Sequence, residues 1–398
     1  MTNSIRQIIG RYDASIWIRV IGTALSTITG FMIRPFLVLY LYDRMEGSVM
    51  LPMLIVALQP LCGMIVSWTG GGLSDRLGRK PIMFAALMLQ MLSMIGYVFS
   101  DHVWEYAACS ILNGIGAALF NPAANAQITD MVPEDRRAEV FALMHTAFNT
   151  GAAVGPVIGL FMFQWEADAV FIISAIALLV NGLLVAFKLR ETAPALIGGS
   201  TQGQVRRKVK FEWKSHRSLF LLTLLSLPVG LLYAQVETTL PLHLATSFDH
   251  YKTIFASLVT FNGIAVIALQ IWVARKSESI PSGVVIGIAN VLLAVVAIGY
   301  GYSEAVLLLF AAEFVFTIGE MLYGPHYQKT LSVMAPAEER GFYFSVNGAA
   351  NMLSRALGPL LGGWLFTATN GETLFLALAL LLLAAGYWQY RFIRGIMD

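Results

Sequence analysis

The chain has 398 residues, of which 57% are hydrophobic and only 13% are charged, and its formal net charge is +2. Because an average soluble domain is about one quarter charged, this composition excludes an ordinary soluble protein. The small positive charge gives no indication of a nucleic-acid partner. The composition instead predicts a protein whose main surroundings are a lipid bilayer.

Long apolar runs follow one another along the chain, and a helix needs about 20 apolar residues to cross about 30 Å of hydrocarbon. The sequence predicts twelve such spans. They are 15–42, 49–69, 82–100, 104–129, 140–164, 169–189, 218–245, 251–273, 282–301, 303–327, 342–368 and 372–393. No cleavage site of small residues follows the first span, so we expect a retained helix rather than a signal peptide.

Lysine and arginine concentrate in alternate loops, which stay on the cytoplasmic side of a cell membrane. One set of loops contains the basic stretch 188–217 together with Arg76, Arg79, Lys80, Arg136, Arg137, Arg275, Lys276 and Arg340. The opposite set contains only Arg44 and Lys252. This asymmetry predicts that both termini face the cytoplasm. Cys62 and Cys109 lie inside predicted spans, so we expect neither a disulfide nor a metal site.

The chain contains an internal repeat. The stretch that begins at Asn113 aligns without gaps on the stretch that begins at Phe316, with a constant offset of 203 residues. The alignment pairs Gly116 with Gly319, Pro122 with Pro325, Pro133 with Pro336, Arg137 with Arg340, Phe141 with Phe344, Gly155 with Gly358 and Pro156 with Pro359. It predicts two six-helix halves, 1–189 and 218–398, joined by a cytoplasmic linker, 190–217. Such parallel repeats are typical of transporters that work by alternating access, although the repeat alone does not exclude a channel or a membrane enzyme.

The segment GGLSDRLGRK, 71–80, resembles the signature between the second and third helices of the major facilitator superfamily. The resemblance implies a twelve-helix fold of two pseudo-symmetric halves, and a conformational latch in which this segment docks one half on the other. We name as the cytoplasmic latch the residues Gly71, Asp75, Arg76, Gly78, Arg79 and Lys80 with their candidate partners Asp130 and Arg137. A plain topological anchor of positive charge is the alternative interpretation.

A second segment, GAAVGPVIG in the fifth span, is similar to the motif that marks the antiporter branch of this superfamily. Its small residues permit close helix packing, and its proline bends a helix. The motif residues are Gly151, Gly155, Pro156 and Gly159. The resemblance implies export by exchange, whereas ordinary small-residue packing is the alternative.

Within that branch, QVETTLPLHL around Glu237 and TIGEMLYGP around Glu320 resemble segments of the LmrP-like multidrug transporters. Two departures from the family pattern concern its charged residues. Ser110 occupies the position of a fourth-helix arginine, and Met144, followed by His145, occupies the position of a fifth-helix acid. The expected proton relay therefore lacks one arginine and one carboxylate.

Ionisable residues inside a span cost several kcal/mol, so they are candidates for function. We define the coupling acids as Glu237, Glu313 and Glu320, because a carboxylic acid in a low-dielectric site binds a proton near neutral pH. The alternatives are structural ion pairs, of Glu320 with Arg355 and of Glu313 with Arg34. Arg19 lies near the cytoplasmic end of the first span and is expected to extend its charge to the membrane surface.

Aromatic and methionine side chains predict a broad apolar substrate cavity, since adaptable surfaces suit promiscuous binding. The candidate cavity residues are Arg34, Phe31, His145, Phe148, Tyr233, Phe261, Phe316, Tyr323 and Arg355. Each aromatic residue has an alternative role in packing or in contact with lipid. His243 and His326 have no companions with metal-ligand spacing.

The favoured function is proton-driven export of amphipathic or cationic small molecules, as in multidrug efflux. Two alternatives are a dedicated exporter of one metabolite, lipid or metal chelator, and a non-transporting membrane sensor or assembly partner. The sequence has no Gly-rich nucleotide loop followed by Lys and Ser/Thr and no convincing catalytic constellation, so we expect neither ATP-driven transport nor an enzyme. We expect no cofactor, a proton gradient as the energy source, and a monomer.

Overall fold

A computed structural model describes residues 12–69, 73–193, 213–336 and 339–397. Every regular element in these ranges is a helix, and there are fourteen. They are α1 (Ala14–Ile33), α2 (Leu37–Arg44), α3 (Met50–Thr69), α4 (Leu73–Leu77), α5 (Arg79–Phe99), α6 (Val103–Met131), α7 (Glu134–Trp165), α8 (Ala167–Lys188), α9 (Trp213–Ser247), α10 (Tyr251–Ser277), α11 (Ser282–Tyr302), α12 (Val306–Met334), α13 (Arg340–Ala368) and α14 (Gly371–Met397).

Ten of these helices contain a stretch that is long and apolar enough to cross a membrane, and Met50–Val66 of α3 is a shorter apolar stretch. The remaining predicted span, 342–368, falls on α13. Each of the twelve predicted spans therefore falls largely on helix. The prediction of an all-α membrane fold is confirmed.

The prediction of one continuous first helix over 15–42 is wrong. The helix ends at Ile33, a turn follows over Arg34, Pro35 and Phe36, and α2 begins at Leu37. Pro35 has no backbone N–H, and the residue before a proline is disfavoured in the helical conformation. The turn keeps its other amides bonded, since Arg34 N donates to Gly30 O and Phe36 N to Ile33 O, both at 2.9 Å.

The first of two compact units consists of Met1–Tyr40 and Leu58–Lys208. In this unit α1 packs on α7 and α8, and α5 packs on α6 and α8. Asn181 of α8 joins two of these helices, because its Nδ2 donates to Gly22 O at 3.3 Å and to Ser26 Oγ at 3.0 Å on α1. Such polar contacts fix the register of helices whose packed faces are otherwise apolar.

The second unit consists of Leu41–Ala57 and Val209–Asp398. Here α9 packs on α13 and α14, α11 packs on α12 and α14, and α10 packs on α12. A buried amide pair links α11 to α14, since Asn290 Nδ2 donates to Gln389 Oε1 at 2.9 Å. The segment Leu41–Ala57 contributes Asp43, whose Oδ2 accepts a hydrogen bond from Lys252 Nζ at 2.7 Å.

The two units repeat the same helix pairings. Within the first unit, α1 contacts α7 and α8 while α5 contacts α6 and α8; within the second, α9 contacts α13 and α14 while α11 contacts α12 and α14. The corresponding helices also occur in the same order along the chain: α1, α5, α6, α7 and α8 correspond to α9, α11, α12, α13 and α14. The repeat is therefore present in the packing as well as in the residues. The boundaries 1–189, 190–217 and 218–398 stay a prediction.

Candidate functional site

An accessible ion pair joins α9 to α13 in the second unit. Arg355 Nη2 donates to Glu237 Oε1 at 2.6 Å and to Oε2 at 2.7 Å. The side chain of Arg355 is 44% exposed and that of Glu237 is 37% exposed. Both side chains keep part of their surface exposed, so their charges are available to a ligand and are not enclosed in the core.

Glu320 of α12 is held by an amide rather than by a cation. Asn262 Nδ2 of α10 donates to Glu320 Oε2 at 3.2 Å and to Thr317 Oγ1 at 3.1 Å. The ion pair of Glu320 with Arg355 was the structural alternative, and the structure instead pairs that arginine with Glu237. A neutral donor such as an amide accommodates either protonation state of a carboxyl group.

Glu313 lies two turns before Glu320 on α12 and is only 3% exposed. Tyr300 of α11, itself 1% exposed, donates its hydroxyl hydrogen to Glu313 Oε2 at 2.6 Å. Seven residues of helix separate the two acids by about 10 Å along the axis. Glu313, like Glu320, therefore accepts a hydrogen bond from an uncharged donor.

The aromatic candidates divide between the units. In the first, Phe31 and Phe148 meet edge to face at 5.7 Å between ring centroids, and the guanidinium carbon of Arg34 lies 5.1 Å from the Phe31 ring. The side chain of His145 lies outside the described residues. Arg34 and Phe148 are exposed, so this group has an accessible surface.

In the second unit, Tyr233 meets Phe316 edge to face at 5.5 Å, and Phe261 meets Phe310 in the same way at 5.5 Å. Phe316 and Tyr323 are each 6% exposed and belong to the apolar core of the unit. These two residues therefore pack in the core, while Tyr233 and Phe261 remain partly accessible.

The residues predicted to form the cytoplasmic latch centre on Arg79, the first residue of α5. Arg79 Nε lies 3.3 Å from Asp130 Oδ2 at the end of α6, and its Nη1 donates to Ser74 Oγ at 2.9 Å. Gly78 before it has φ +105°, a conformation that favours glycine.

The other predicted latch residues are placed less completely. Arg76 is exposed and Lys80 is half-buried. Gly71 and the side chains of Asp75 and Arg137 lie outside the described residues.

Glu191 is a further member of this cluster that sequence reasoning missed. Its Oε1 accepts from the backbone N–H groups of Arg79 at 2.9 Å and of Thr192 and Ala193 at 2.8 Å, and its Oε2 accepts from Lys80 N at 3.1 Å. Burial raises the pKa of Glu191, but the four backbone N–H donors outweigh it, and the net pKa lies below the ordinary value of 4.5.

A missing helix cap is the signal that could have revealed Glu191. The N-cap of α5 is Gly78, which has no side chain to bond the free amides of the first turn. A carboxylate from another segment is well suited to that position, because helix N-termini attract negative charge. Thr192 Oγ1 also donates to Asp130 Oδ2 at 3.2 Å, so the start of the linker is tied to α5 and α6.

The glycines of the fifth-span motif pack against α1. A Cβ atom on Gly155 would lie 2.7 Å from Ile28 O and 2.7 Å from Phe31 Cβ, and one on Gly151 would lie 2.6 Å from Thr27 Cβ. Gly159 faces Met32 in the same way, and Pro156 lies inside α7. In the second unit Gly358 and Gly362 of α13 face Ala234 and Gln235 of α9. The close packing expected of this motif is therefore present in both units.

The prediction that Arg19 extends its charge to the membrane surface is wrong. The Arg19 side chain is buried and 3% exposed. The guanidinium carbon lies 5.2 Å from the ring centroid of Phe120 on α6. The neighbouring helices cover α1 at this depth, so the long side chain does not reach the surface that its position in the sequence suggested.

The family model of the Major Facilitator Superfamily matches residues 20–355 and 236–394. The chain therefore belongs to the major facilitator superfamily, and the resemblance seen in its motifs is confirmed. Membership makes it a multi-pass membrane transporter by family, in agreement with its apolar helices.

Among known proteins, the chain is 35% identical to the uncharacterized MFS-type transporter YhjO of Bacillus subtilis, with 97% of this chain and 95% of that protein covered. It is 24% identical to a Na(+), Li(+), K(+)/H(+) antiporter of Planococcus maritimus, with coverages of 88% and 89%. It is also 24% identical to the multidrug resistance protein MdtH of Klebsiella pneumoniae, with coverages of 85% and 83%.

Among solved structures, a POT family transporter in complex with 5-aminolevulinic acid matches with a TM-score of 0.80, 13% identity and 97% of each chain covered. At this level of identity the match shows the shared fold alone.

Proposed function

We propose that this transporter is a proton-coupled exporter of amphipathic or cationic small molecules, with Glu320 as the principal coupling acid. One observation carries the proposal. Within the described residues, Glu313 and Glu320 accept hydrogen bonds from a phenol and an amide, and neither makes a salt bridge with a cation. A carboxyl group that no cation holds in the ionised form can gain and lose a proton.

Glu237 has a different role in this proposal. Its carboxylate is accessible and shared with Arg355, so a cationic substrate group competes with the guanidinium for the same two oxygens. Such competition exchanges one cation for another without leaving a buried charge unpaired. We assign Glu237 to substrate attraction and Glu320 to proton binding.

Energy would come from protons that return down their gradient. Each elementary charge that moves through 100 mV releases about 2.3 kcal/mol, which is enough to bias an equilibrium between two conformations. The antiporter-like motif and the loop charges support export from the cytoplasm across the cell membrane, with both termini inside. The similarity to a multidrug resistance protein supports a broad substrate range.

Exchange of a monovalent metal cation for protons is a second candidate. Glu320 Oε2 and Thr317 Oγ1 both accept from Asn262 Nδ2, at 3.2 Å and 3.1 Å, so oxygen atoms of two side chains lie close together, and hard cations prefer oxygen ligands. The 24% identical antiporter of Planococcus maritimus supports the same idea. A dedicated exporter of one metabolite, lipid or metal chelator and a non-transporting membrane protein remain the further alternatives.

Inside-out vesicles with an imposed proton gradient test the proposal. The full-length protein should accumulate a fluorescent lipophilic cation, and the Glu320→Gln variant should lose that accumulation. Glu304→Gln is the matched control, because Glu304 is an exposed acid just before the same helix α12. Equal accumulation by the wild type and Glu320→Gln would remove Glu320 from the coupling step. Gradient-driven movement of radioactive sodium without any movement of the dye would favour the second candidate.

A further inference from the structure

Arg19 has no role in the proposed function, yet its environment is unusual for a charged residue. It lies five residues after the start of α1, in the first unit, and is 3% exposed. Its guanidinium carbon lies over the Phe120 ring at 5.2 Å. A cation above an aromatic face gains some compensation for burial, but the ring accepts no hydrogen bond from the guanidinium edge.

Two of the guanidinium nitrogens are left unsatisfied. Among the described residues, neither Nε nor Nη1 of Arg19 has a hydrogen-bond partner. Arginine is charged at any physiological pH, and buried N–H donors without partners are rare in folded proteins. Burial of an unpaired cation is strongly unfavourable unless something supplies the missing negative charge.

The surrounding helices do not supply that charge in the described contacts. Beside Arg19, an apolar cluster joins α1, α6 and α7, and it contains Ile16, Ile128, Val140 and Met144. One turn after Arg19 on the same face, the Thr23 hydroxyl points to Met144 Sδ at 3.6 Å. The atom that faces the Thr23 hydroxyl is therefore an uncharged thioether sulfur, which supplies no negative charge.

We propose that Arg19 is an anion-binding residue whose ligand is an oxyanion, either a carboxylate or a phosphate ester. Such a group supplies both the negative charge and the acceptors that the guanidinium lacks, and arginine binds both chemistries through charge-assisted hydrogen bonds. The same chemistry is available from a soluble organic anion and from the headgroup of an acidic phospholipid. The proposal requires neither proton coupling nor export, so it can be tested without either.

Binding is best measured on the purified full-length protein in phosphatidylcholine nanodiscs. Benzoate and phenyl phosphate serve as probes, and neutral benzamide serves as the matched control ligand. Thermal unfolding is followed by tryptophan fluorescence as a function of probe concentration. For the wild type we expect a saturable rise in Tm with benzoate or phenyl phosphate and none with benzamide, because a ligand that binds only the folded state stabilises it.

Three variants place the effect at Arg19. Arg19→Met should abolish the rise, and Arg19→Lys should weaken the apparent affinity by about tenfold or more, because lysine loses the planar array of donors. Arg391→Met is the control, since Arg391 is an exposed arginine in α14 of the other unit and should behave as the wild type. If Arg19→Met does not fold, the comparison of wild type, Arg19→Lys and Arg391→Met still tests the assignment.

The source of the anion is decided by a second set of nanodiscs that contain phosphatidylglycerol. A higher Tm of the wild type in these discs, absent in Arg19→Met or reduced in Arg19→Lys, with no response to the soluble probes, identifies a lipid headgroup. A response to the soluble probes in phosphatidylcholine identifies an organic anion. Equal responses of wild type and Arg19→Lys, or no response of the wild type to either probe or lipid, would overturn the proposal.

Discussion

Arg355 Nη2 lies between the two carboxylate oxygens of Glu237, 2.6 Å from Oε1 and 2.7 Å from Oε2. Four residues further along α13, Pro359 has no N–H, so the Arg355 carbonyl lacks the helical hydrogen bond that it would otherwise receive. The ion pair therefore lies where the backbone ladder of α13 is interrupted. An accessible charge pair is therefore located where the helix α13 has one backbone hydrogen bond fewer.

The first prediction concerns this pair. Glu237→Gln should lower the affinity for lipophilic cations by about tenfold or more, because the substrate loses its charged acceptor. The free energy of unfolding should change by no more than about 1 kcal/mol, since exposed ion pairs contribute little to stability. Equilibrium binding of a fluorescent cation and denaturant unfolding provide the two measurements.

Asp43→Asn is the control for this variant. It breaks the ion pair between Lys252 and Asp43, which also lies in the second unit. The side chain of Lys252 is 47% exposed and that of Asp43 is 51% exposed. Its effect on stability should be similarly small, and its affinity for the cation should equal that of the wild type. A Glu237→Gln protein that binds as tightly as Asp43→Asn would show that the Glu237 carboxylate does not attract the substrate.

The second prediction concerns the buried pair of Tyr300 and Glu313. Tyr300→Phe should destabilise the protein by about 1–3 kcal/mol, because the carboxyl group loses its only described donor. The same substitution should cost less in a Glu313→Leu background, where no buried polar group is left unsatisfied. A double-mutant cycle measured by denaturant unfolding gives the coupling. Tyr302→Phe, at an exposed tyrosine of the same helix, should be neutral, and a coupling near zero would contradict the account.

The third prediction concerns the packing of α7 on α1. Gly155→Ala should destabilise the protein by about 1–3 kcal/mol, since its Cβ would approach the Ile28 backbone oxygen at 2.7 Å. Gly30→Ala is the matched control, because nothing lies within 4 Å of a Cβ at that position. Alanine there should be neutral or stabilising by up to about 1 kcal/mol. Similar stabilities for the two variants would show that the motif glycine is not a packing requirement.

The fourth prediction concerns Glu191 and pH. Because the folded-state pKa of Glu191 lies below 4.5, the ionised carboxylate stabilises the fold at pH values above 4.5. This contribution is lost as the pH falls through the lowered folded-state pKa. Glu191→Gln should therefore have a lower Tm than the wild type at pH 7, and the difference should shrink as the medium is made more acidic. A difference in Tm that does not depend on pH would contradict this role.

The sequence was sufficient for the architecture because helix crossing depends on the number of apolar residues, which is local information. The repeat, whose two copies are offset by 203 residues, also indicated two similar halves, and the aligned glycines of α7 and α13 do pack against corresponding faces of α1 and α9. The ends of helices were less predictable. Hydropathy reports only the segment that lies in hydrocarbon. The predicted span therefore begins at residue 140, although helix α7 itself begins at Glu134.

The partners of charged residues could not be predicted in the same way, because they depend on the direction of side chains across helices. Arg355 was expected as the alternative partner of Glu320. It instead bonds to Glu237, which lies 118 residues before it in the sequence. Arg19 was expected at the membrane surface because its depth was judged along one helix, whereas its burial depends on α6 and α7. Glu191 was overlooked because its partners are backbone amides, and the only sign of them in the residue types is the glycine at the N-cap of α5.

Proton release caused by substrate is the most direct test of the central claim. The protein would be reconstituted in vesicles that contain a trapped pH-sensitive dye, and a lipophilic cation would be added without an imposed gradient. We predict that the cation drives a proton flux in the opposite direction in the wild type and in Glu304→Gln, and that Glu320→Gln abolishes this flux. Cation movement in the wild type with no accompanying change in internal pH would contradict proton coupling.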